Sequence, residues 1–433
     1  MTMNLKSTLE STLSTAQLHL LHLVADEASL GGLALYIIGG SVRDLILGSV
    51  IKDIDLTVEA DAVALARALE NRHGGRVTVH KKFGTAKWFL PKELAAGASD
   101  TLDLISARSE TYKLPAALPT VNIGNLDDDI RRRDFTINTL AIRLDSSHFG
   151  ELRDDLNGMQ DLKNEVIRVL HKESFIDDPT RMYRAVRYAG RYQFSIAEGT
   201  LGLIPDARTQ ISKLSAQRIR HELDLVLEEQ NAATMLAHLS KLDLLRPIHP
   251  ALSFDRSIHE RLENLSTYRS LQRLAPWNIT KGNKTNSSGL GWLLWLISFS
   301  KDEISSLNDR LHFRVDLLSS LFGASMLFSD QPGFVDLKPS DCVERLESFP
   351  INAVEAVGYV IKDPRVKERF DEYLLKWRYI KPHITGDDLK SLGIEPGPRY
   401  AVFLRRVRNA WLDGEVKTKD DEINLIKKLI SDD

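Results

Sequence analysis

The sequence predicts an α+β protein: an N-terminal head built on a small mixed sheet, followed by helices to the end of the chain. Short β-branched and alternating runs crowd residues 1 to about 145, interspersed with helix-like stretches. After Leu156 the strand signal fades and apolar residues recur at 3.6-residue spacing. No fixed-period repeat is visible, which sets a solenoid aside.

In chain order, the head offers strands over Ala34–Ile38, Ile54–Val58, Arg76–His80, Thr85–Leu90 and Thr101–Ile105, with a helix over Ala60–Asn71. The helical remainder offers amphipathic segments over Thr180–Tyr192, Gln217–Glu228, Ala232–Leu242, Arg310–Met326, Val366–Trp377 and Tyr400–Leu412. The polar run from Lys281 to Gly289 is the clearest internal break. The boundaries expected from these shifts are a head over 1–150, then helical segments over 151–230, 231–310 and 311–433.

A chain of 433 residues can bury a large core, and 43% apolar with 27% charged residues is ordinary globular composition. The net charge of −3 excludes a polycationic nucleic-acid binder; any RNA contact must use local basic patches. The single cysteine, Cys342, excludes an internal disulfide framework and a cysteine-cluster zinc site, which fits a cytoplasmic protein. The charges Glu10, Asp26 and Glu27 in the first amphipathic stretch argue against a signal peptide. The apolar run Leu290–Phe299 is shorter than the roughly 20 residues a membrane span needs, so it reads as a buried helix. No membrane and no protein partner is expected.

Chemistry concentrates in five blocks. Asp53 and Asp55, two apart on a strand, share one face while Ile54 and Leu56 face the core. Two aligned carboxylates call for a cation between them, and Mg²⁺ is the hard ion that takes carboxylate oxygens together with substrate phosphates. Asp103, flanked by Leu102 and Leu104 of opposite facing, is the candidate third carboxylate of a nucleotidyl-transfer site. Aspartates near strand ends also cap turns, and the residues alone leave that alternative open. Gly39, Gly40 and Ser41 follow a strand and precede a helix, where backbone amides cradle phosphate oxygens and Arg43 adds a charge-assisted bond.

Arg131, Arg132 and Arg133 lead straight into the apolar Phe135–Ile142 segment. At least one of them is drawn inward as a phosphate ligand, the alternative being a solvated face. Asp178 precedes Pro179 in the manner of a helix start. On the helical wheel Asp178, Arg181 and Arg184 line one edge beside an apolar stripe of Met182, Ala185, Val186 and Ala189. A carboxylate accepting from an exocyclic amine, beside an arginine donating to a ring nitrogen, suits cytosine and adenine. Uracil and guanine present the reverse polarity and leave both groups mispaired, at roughly 1–3 kcal/mol each.

These blocks, with Arg132-Arg133-Asp134-Phe135-Thr136-Ile137-Asn138, Asp154 through Gly158 to Asp161-Leu162, and Arg218-Ile219 with Glu222, occur in the order seen in one family. The chain resembles the class II tRNA nucleotidyltransferases and bacterial poly(A) polymerases, of the polymerase-β-type superfamily, over residues 36 to 225. A weaker match returns at Ile384–Leu389 and Pro396–Pro398. The resemblance implies a polymerase-β-type catalytic head with all-α neck, body and tail. It implies Mg²⁺ on Asp53 and Asp55, and Gly40, Arg43 and Arg133 on the nucleotide's triphosphate or sugar. It also implies base selection by Asp178 and Arg181 with help from Arg184 and Arg187, a hinge block at Asp154 and Asp161, and a flexible loop over Ser109–Asp128.

The activity it implies is template-independent addition or repair of the 3′-terminal CCA of tRNA from CTP and ATP. CC-only, A-only or poly(A) addition are the narrower forms, and an inactive RNA binder is the reading of another class. Two departures are visible: Asp177 stands where the family usually has glutamate, and Asp155 where it often has proline. No histidine-aspartate phosphohydrolase signature is present, so no attached phosphatase is expected. Two basic, aromatic-bearing segments suit tRNA: Lys376–Lys381, and Arg399-Tyr400 through Arg405-Arg406 to Arg408. Buried aromatics on an ordinary helix surface are the alternative.

Overall fold

The computed structural model describes residues 3–49, 51, 54–80, 84–95, 99–111, 116–117, 120–265, 267–268 and 288–431. The chain forms two compact units, one of residues 1–222 with 241–248 and one of 223–240 with 249–433.

The first unit is built on a seven-stranded sheet. Its strands are β1 (Leu35–Ile38), β2 (Asp55–Val58), β3 (Arg76–His80), β4 (Thr85–Phe89), β5 (Thr101–Ser106), β8 (Ala141–Arg143) and β9 (Leu152–Arg153), in the order β3-β4-β5-β2-β1-β8-β9. A separate antiparallel hairpin joins β6 (Arg108–Thr111) to β7 (Thr120–Ile123). Only β2 and β5 run parallel, so the sheet is mixed, as expected.

Every residue of β1 is buried, as a strand covered on both faces requires. Tyr36 and Ile38 pack with Leu126, Ile130 and Ala141, which seats the helix Leu126–Arg131 on one face. Strands β3 to β5 alternate instead. Val77, Ala86, Trp88, Leu102 and Leu104 are buried, and the helix Ala62–His73 packs against these strands. Arg76, Thr78, Lys87 and Asp103 occupy the opposite face.

The sequence places β3 and the helix Thr180–Tyr192 at their observed bounds and most other elements within two residues. It does not reveal β6 to β9 or the two-residue parallel pair of Val166–Ile167 with Ser195–Ile196. Strands that short carry too little periodicity to read.

The second unit is helical. The helix Ser288–Leu296 is buried along its whole length. Trp292 and Trp295 stack with ring centroids 5.3 Å apart, and Phe313 meets Trp292 edge-on at 5.1 Å. Asp224 accepts hydrogen bonds from Ser288 Oγ at 2.8 Å and Trp292 Nε1 at 2.7 Å, and the Ser253 carbonyl accepts from Trp295 Nε1 at 3.0 Å, so these buried polar atoms are paired.

The expected helix Arg310–Met326 is corrected to two, Lys301–Leu311 and Val315–Ser329. His312 adopts a left-handed conformation, and the Asn308 side chain accepts the Phe313 amide at 2.9 Å. The apolar period runs on through this capped break, so periodicity alone cannot see it. Of the polar break at Lys281–Gly289, residues 281–287 lie outside the described residues.

Near the C-terminus, Ile384, Leu389, Ile394, Phe403, Val407 and Ile426 form a small core around the buried Glu422. That carboxylate accepts from the His383 and Ile384 amides and from Trp411 Nε1. Among the described residues no helix is long and apolar enough to cross a membrane.

Candidate active site

The register of the sheet assembles the acidic cluster. Asp55 pairs with Asp103 across the parallel β2–β5 ladder, and Asp103 pairs with Lys87 across β5–β4. Register partners project on the same side, so all three groups stand on one face. Lys87 Nζ lies 2.8 Å from Asp103 Oδ2. Thr57 opposes Tyr36 across β2–β1. Asp55, two residues from Thr57, therefore shares the face on which Tyr36 and Ile38 meet the helix Leu126–Arg131.

Ile37 opposes Leu56, which puts Asp55 beside the end of β1, where the glycine turn starts. Asp53 lies outside the described residues. Among the described residues no group of three or more His, Cys, Asp or Glu side chains gathers at one point. The donor set nevertheless suits a hard cation: an exposed carboxylate at Asp55, in register with one at Asp103 that already draws an ammonium.

The glycine turn is fixed by sterics. Gly39 has φ +84, and a Cβ there would collide with the Arg133 guanidinium. The turn leads into the helix Gly40–Ile46, whose first amides have no acceptor within the helix; Ser41 is its second residue. Arg43 is buried with its guanidinium against Gly40. Nε and Nη2 donate to Asp44 Oδ1 at 2.9 and 2.8 Å, and Nη1 donates to Asn138 Oδ1. The same group lies 5.2 and 4.7 Å from the rings of Tyr188 and Tyr192, which stack on one another 6.1 Å apart. Tyr192 donates to Asp44 at 3.0 Å, and burial, despite the nearby Arg43, pushes its phenol up to about 12.

The arginine block is drawn inward as expected. Asp129 is buried and takes Arg132 on Oδ1 and Arg133 on Oδ2, at 2.6 and 2.8 Å for their Nη2 atoms. Burial alone would raise this carboxyl; the two guanidinia outweigh it and hold it below the ordinary aspartate range. Arg131 remains exposed. Asp134 accepts from Arg184 at 2.6 and 2.9 Å and from Asn138 at 2.8 Å. Burial opposes the Asp134 charge as well, and Arg184 reverses it.

Asp178 and Arg181 stand near one another but are not idle. Every hydrogen bond to Asp178 among the described residues falls on Oδ1, from Thr180 N, Thr180 Oγ1 and Arg218 Nη2 at 3.0, 2.6 and 2.6 Å. Arg218 also donates to the Ala116 carbonyl at 3.0 Å. Arg181 is buried, giving Nη1 to Ser174 Oγ at 2.7 Å and Nη2 to the Arg132 carbonyl at 2.8 Å. Arg187 is buried with its guanidinium 5.0 Å from the Tyr188 ring.

Asp178 lies just before the helix Thr180–Tyr192, which carries Arg181, Arg184 and Arg187, and the fold buries Arg181 and Arg187. Asp154 accepts from the Gly158 and Met159 amides, and Asp161 holds Thr136 and Arg168. In the second unit Arg405, Arg406 and Arg408 pair with Glu344, Glu415 and Glu347, which leaves less basic surface than the sequence implies.

Several contributors escaped the sequence reading. Asn138, Asp134, Arg218 and Glu222 lay inside the recognised blocks without an assigned role. Lys87, Ser174, Tyr188, Tyr192 and Glu110, which accepts from Arg132 Nη1 at 3.1 Å, carried no signal, because only strand pairing and helix docking bring them to the site.

Residues 35–168 match the model of the poly(A) polymerase head domain, and 193–255 that of a probable RNA- and SrmB-binding site of polymerase A. The chain is 35% identical to the A-adding tRNA nucleotidyltransferase of Geobacter sulfurreducens over 96% of its own length, but spans only 47% of that relative. It is 31% identical to the CCA-adding enzyme of Lactobacillus helveticus, covering 90% of this chain and 92% of that one. The Thermotoga maritima CCA-adding enzyme complexed with tRNA superposes with a TM-score of 0.76 at 25% identity, over 99% of both chains. The chain belongs to the family of tRNA nucleotidyltransferases that share the poly(A) polymerase head.

Proposed function

We propose that this chain is a template-independent CTP/ATP:tRNA nucleotidyltransferase that adds or repairs the 3′-terminal CCA. The observation that carries the reading is the in-register pair Asp55 and Asp103, set at the end of β2 beside the glycine turn that Arg43 and Arg133 flank. Asp53, Asp55 and Asp103 would hold Mg²⁺, which supplies neutralisation of charge at the reacting phosphate. Gly39, Gly40, Ser41, Arg43 and Arg133 receive the triphosphate. The 3′-oxygen of the RNA bonds to the α-phosphorus, and the bond to the bridging oxygen of pyrophosphate breaks.

Asp178 keeps Oδ2 as an acceptor for the exocyclic amine of cytosine or adenine, while Oδ1 is spent on Arg218 and Thr180. Arg181 reads the ring nitrogen by exchanging a bond it now gives to Ser174 or Arg132. Arg184, tied to Asp134, and Arg187 support this helix from behind. A second reading, addition of the terminal A alone, is favoured by the 35% identity to the Geobacter A-adding enzyme.

Labelled CTP and ATP supplied with magnesium and tRNA lacking its last one, two or three nucleotides test both. Incorporation of both nucleotides supports CCA addition; incorporation of ATP alone selects the second reading. Asp55→Ala should cut the rate about a thousandfold, since several kcal/mol of charge stabilisation are removed. Thermal unfolding should not move, because Asp55 is exposed. A variant with wild-type rates would remove the acidic cluster from the mechanism.

A further inference from the structure

The acidic row does not end at Asp103. Beyond it, β4 and β3 continue the same face of the sheet, which the described residues leave exposed at Arg76, Thr78 and His80. Lys87 stands next to Asp103, and Thr78 next to Lys87. One step along the strands, Arg76 opposes Phe89, and the Arg76 guanidinium lies 4.6 Å from the ring centroid. His80 opposes Thr85 on the other side of the row. Arg76, Thr78 and His80 are exposed, and the Lys87 side chain keeps 38% of its surface. The buried side of these strands is fully used by Val77, Ala86, Trp88 and Leu102. A lysine, an imidazole and a guanidinium stacked on an aromatic ring, on a face exposed among the described residues, suit a single-stranded nucleic acid: charge for the phosphates and a flat platform for a base.

The direction of the reaction says which nucleic-acid segment belongs there, on the tRNA nucleotidyltransferase reading above. In phosphoryl transfer the attacking and leaving oxygens lie roughly in line on opposite sides of the phosphorus. The glycine turn, Arg43 and Arg133 stand on the β1 side of Asp55, so pyrophosphate leaves toward them. The attacking 3′-hydroxyl must arrive from the β5–β4 side. We infer that the open face of β3 and β4 seats the single-stranded 3′ end of the acceptor RNA. Lys87 meets the phosphate of its last nucleotide, and the Arg76–Phe89 pair stacks on the base before it. Lys87 and Phe89 are two residues apart, about 7 Å along the strand, within the reach of one extended nucleotide step.

Arg76→Glu and Phe89→Ala in the full chain test this. Each should raise the KM for tRNA lacking its 3′ end about tenfold, the loss expected when a base–aromatic stack is removed. The KM for CTP and ATP should stay within about twofold. An unchanged KM for RNA, or an equal rise for RNA and nucleotide, overturns the inference. A photoreactive 4-thiouridine at the penultimate position of a short RNA 3′ end supplies a readout that needs no catalysis. Crosslinks on β3 or β4 support the seat, and crosslinks only elsewhere sink it. Wild-type chain that crosslinks there yet labels no tRNA refutes the enzymatic reading while leaving the RNA seat standing.

Discussion

The two units solve the burial problem in opposite ways. The first places Arg43, Asp129, Asp134, Asn138, Arg181 and Arg187 inside, each a group that is costly to remove from water. The second fills its centre with Trp292, Trp295, Phe334 and Phe370 and buries few charges, Glu355 and Glu422 among them. Buried charges survive only when paired and fully hydrogen-bonded, and most of those in the first unit are. Such a network holds guanidinia at fixed positions without solvent reorganisation, which is what recognition of a highly charged triphosphate requires. An apolar core offers no comparable service; it offers rigidity.

The largest expected effect tests that contrast directly. Asp129→Asn leaves Arg132 and Arg133 without their shared carboxylate and should cost about 3–5 kcal/mol of stability, read by denaturant unfolding. It should also weaken nucleotide binding, because Arg133 loses the group that aims it. A loss below about 1 kcal/mol would mean the network does not hold the first unit together.

The same variant has a pH signature. The Asp129 carboxyl titrates lower in the folded chain than the unfolded value near 3.9. Its stabilisation is therefore complete above that value and is lost as the pH falls through the lowered folded value. Asp134 adds a contribution of the same sign. Melting temperature followed from pH 7 downward should fall less steeply in Asp129→Asn than in the wild type.

A smaller effect concerns selectivity. Arg218→Ala removes the guanidinium from Asp178 Oδ1 and leaves only the Thr180 donors there, so the base-reading role proposed for Asp178 should weaken. Discrimination of CTP and ATP against UTP and GTP should narrow by roughly tenfold, in keeping with about 1–3 kcal/mol for one mispaired polar group. Uniform loss for all four nucleotides would assign Arg218 to the fold alone.

The smallest belongs to the second unit. Glu422→Gln keeps the shape but weakens the bonds from the His383 and Ile384 amides, at about 1–2 kcal/mol. Nucleotide KM should not change. If it does, the separation of roles between the units is wrong.

Much of the site was legible in the sequence because its parts are local. A glycine turn after β1, an aspartate that opens β2 and the arginines of the helix Thr180–Tyr192 are set by local turn chemistry and by periods of 2 and 3.6 residues. The helix Thr180–Tyr192 could be read to the residue for that reason. What was not legible was long-range. Lys87 alternates on its strand like any polar residue until β4 pairs with β5. Tyr192 is an ordinary helix aromatic until its helix docks beside Arg43.

Periodicity, turn chemistry and motif order therefore determined the α+β class, the helical remainder and the identity of the candidate site residues. Only the tertiary structure decided which of them pair: Asp103 with Lys87, Arg181 with Ser174 and the Arg132 carbonyl, Asp178 with Arg218. The physical reason is that a buried charge must find its partner wherever the chain brings one, and sequence spacing carries no record of that distance.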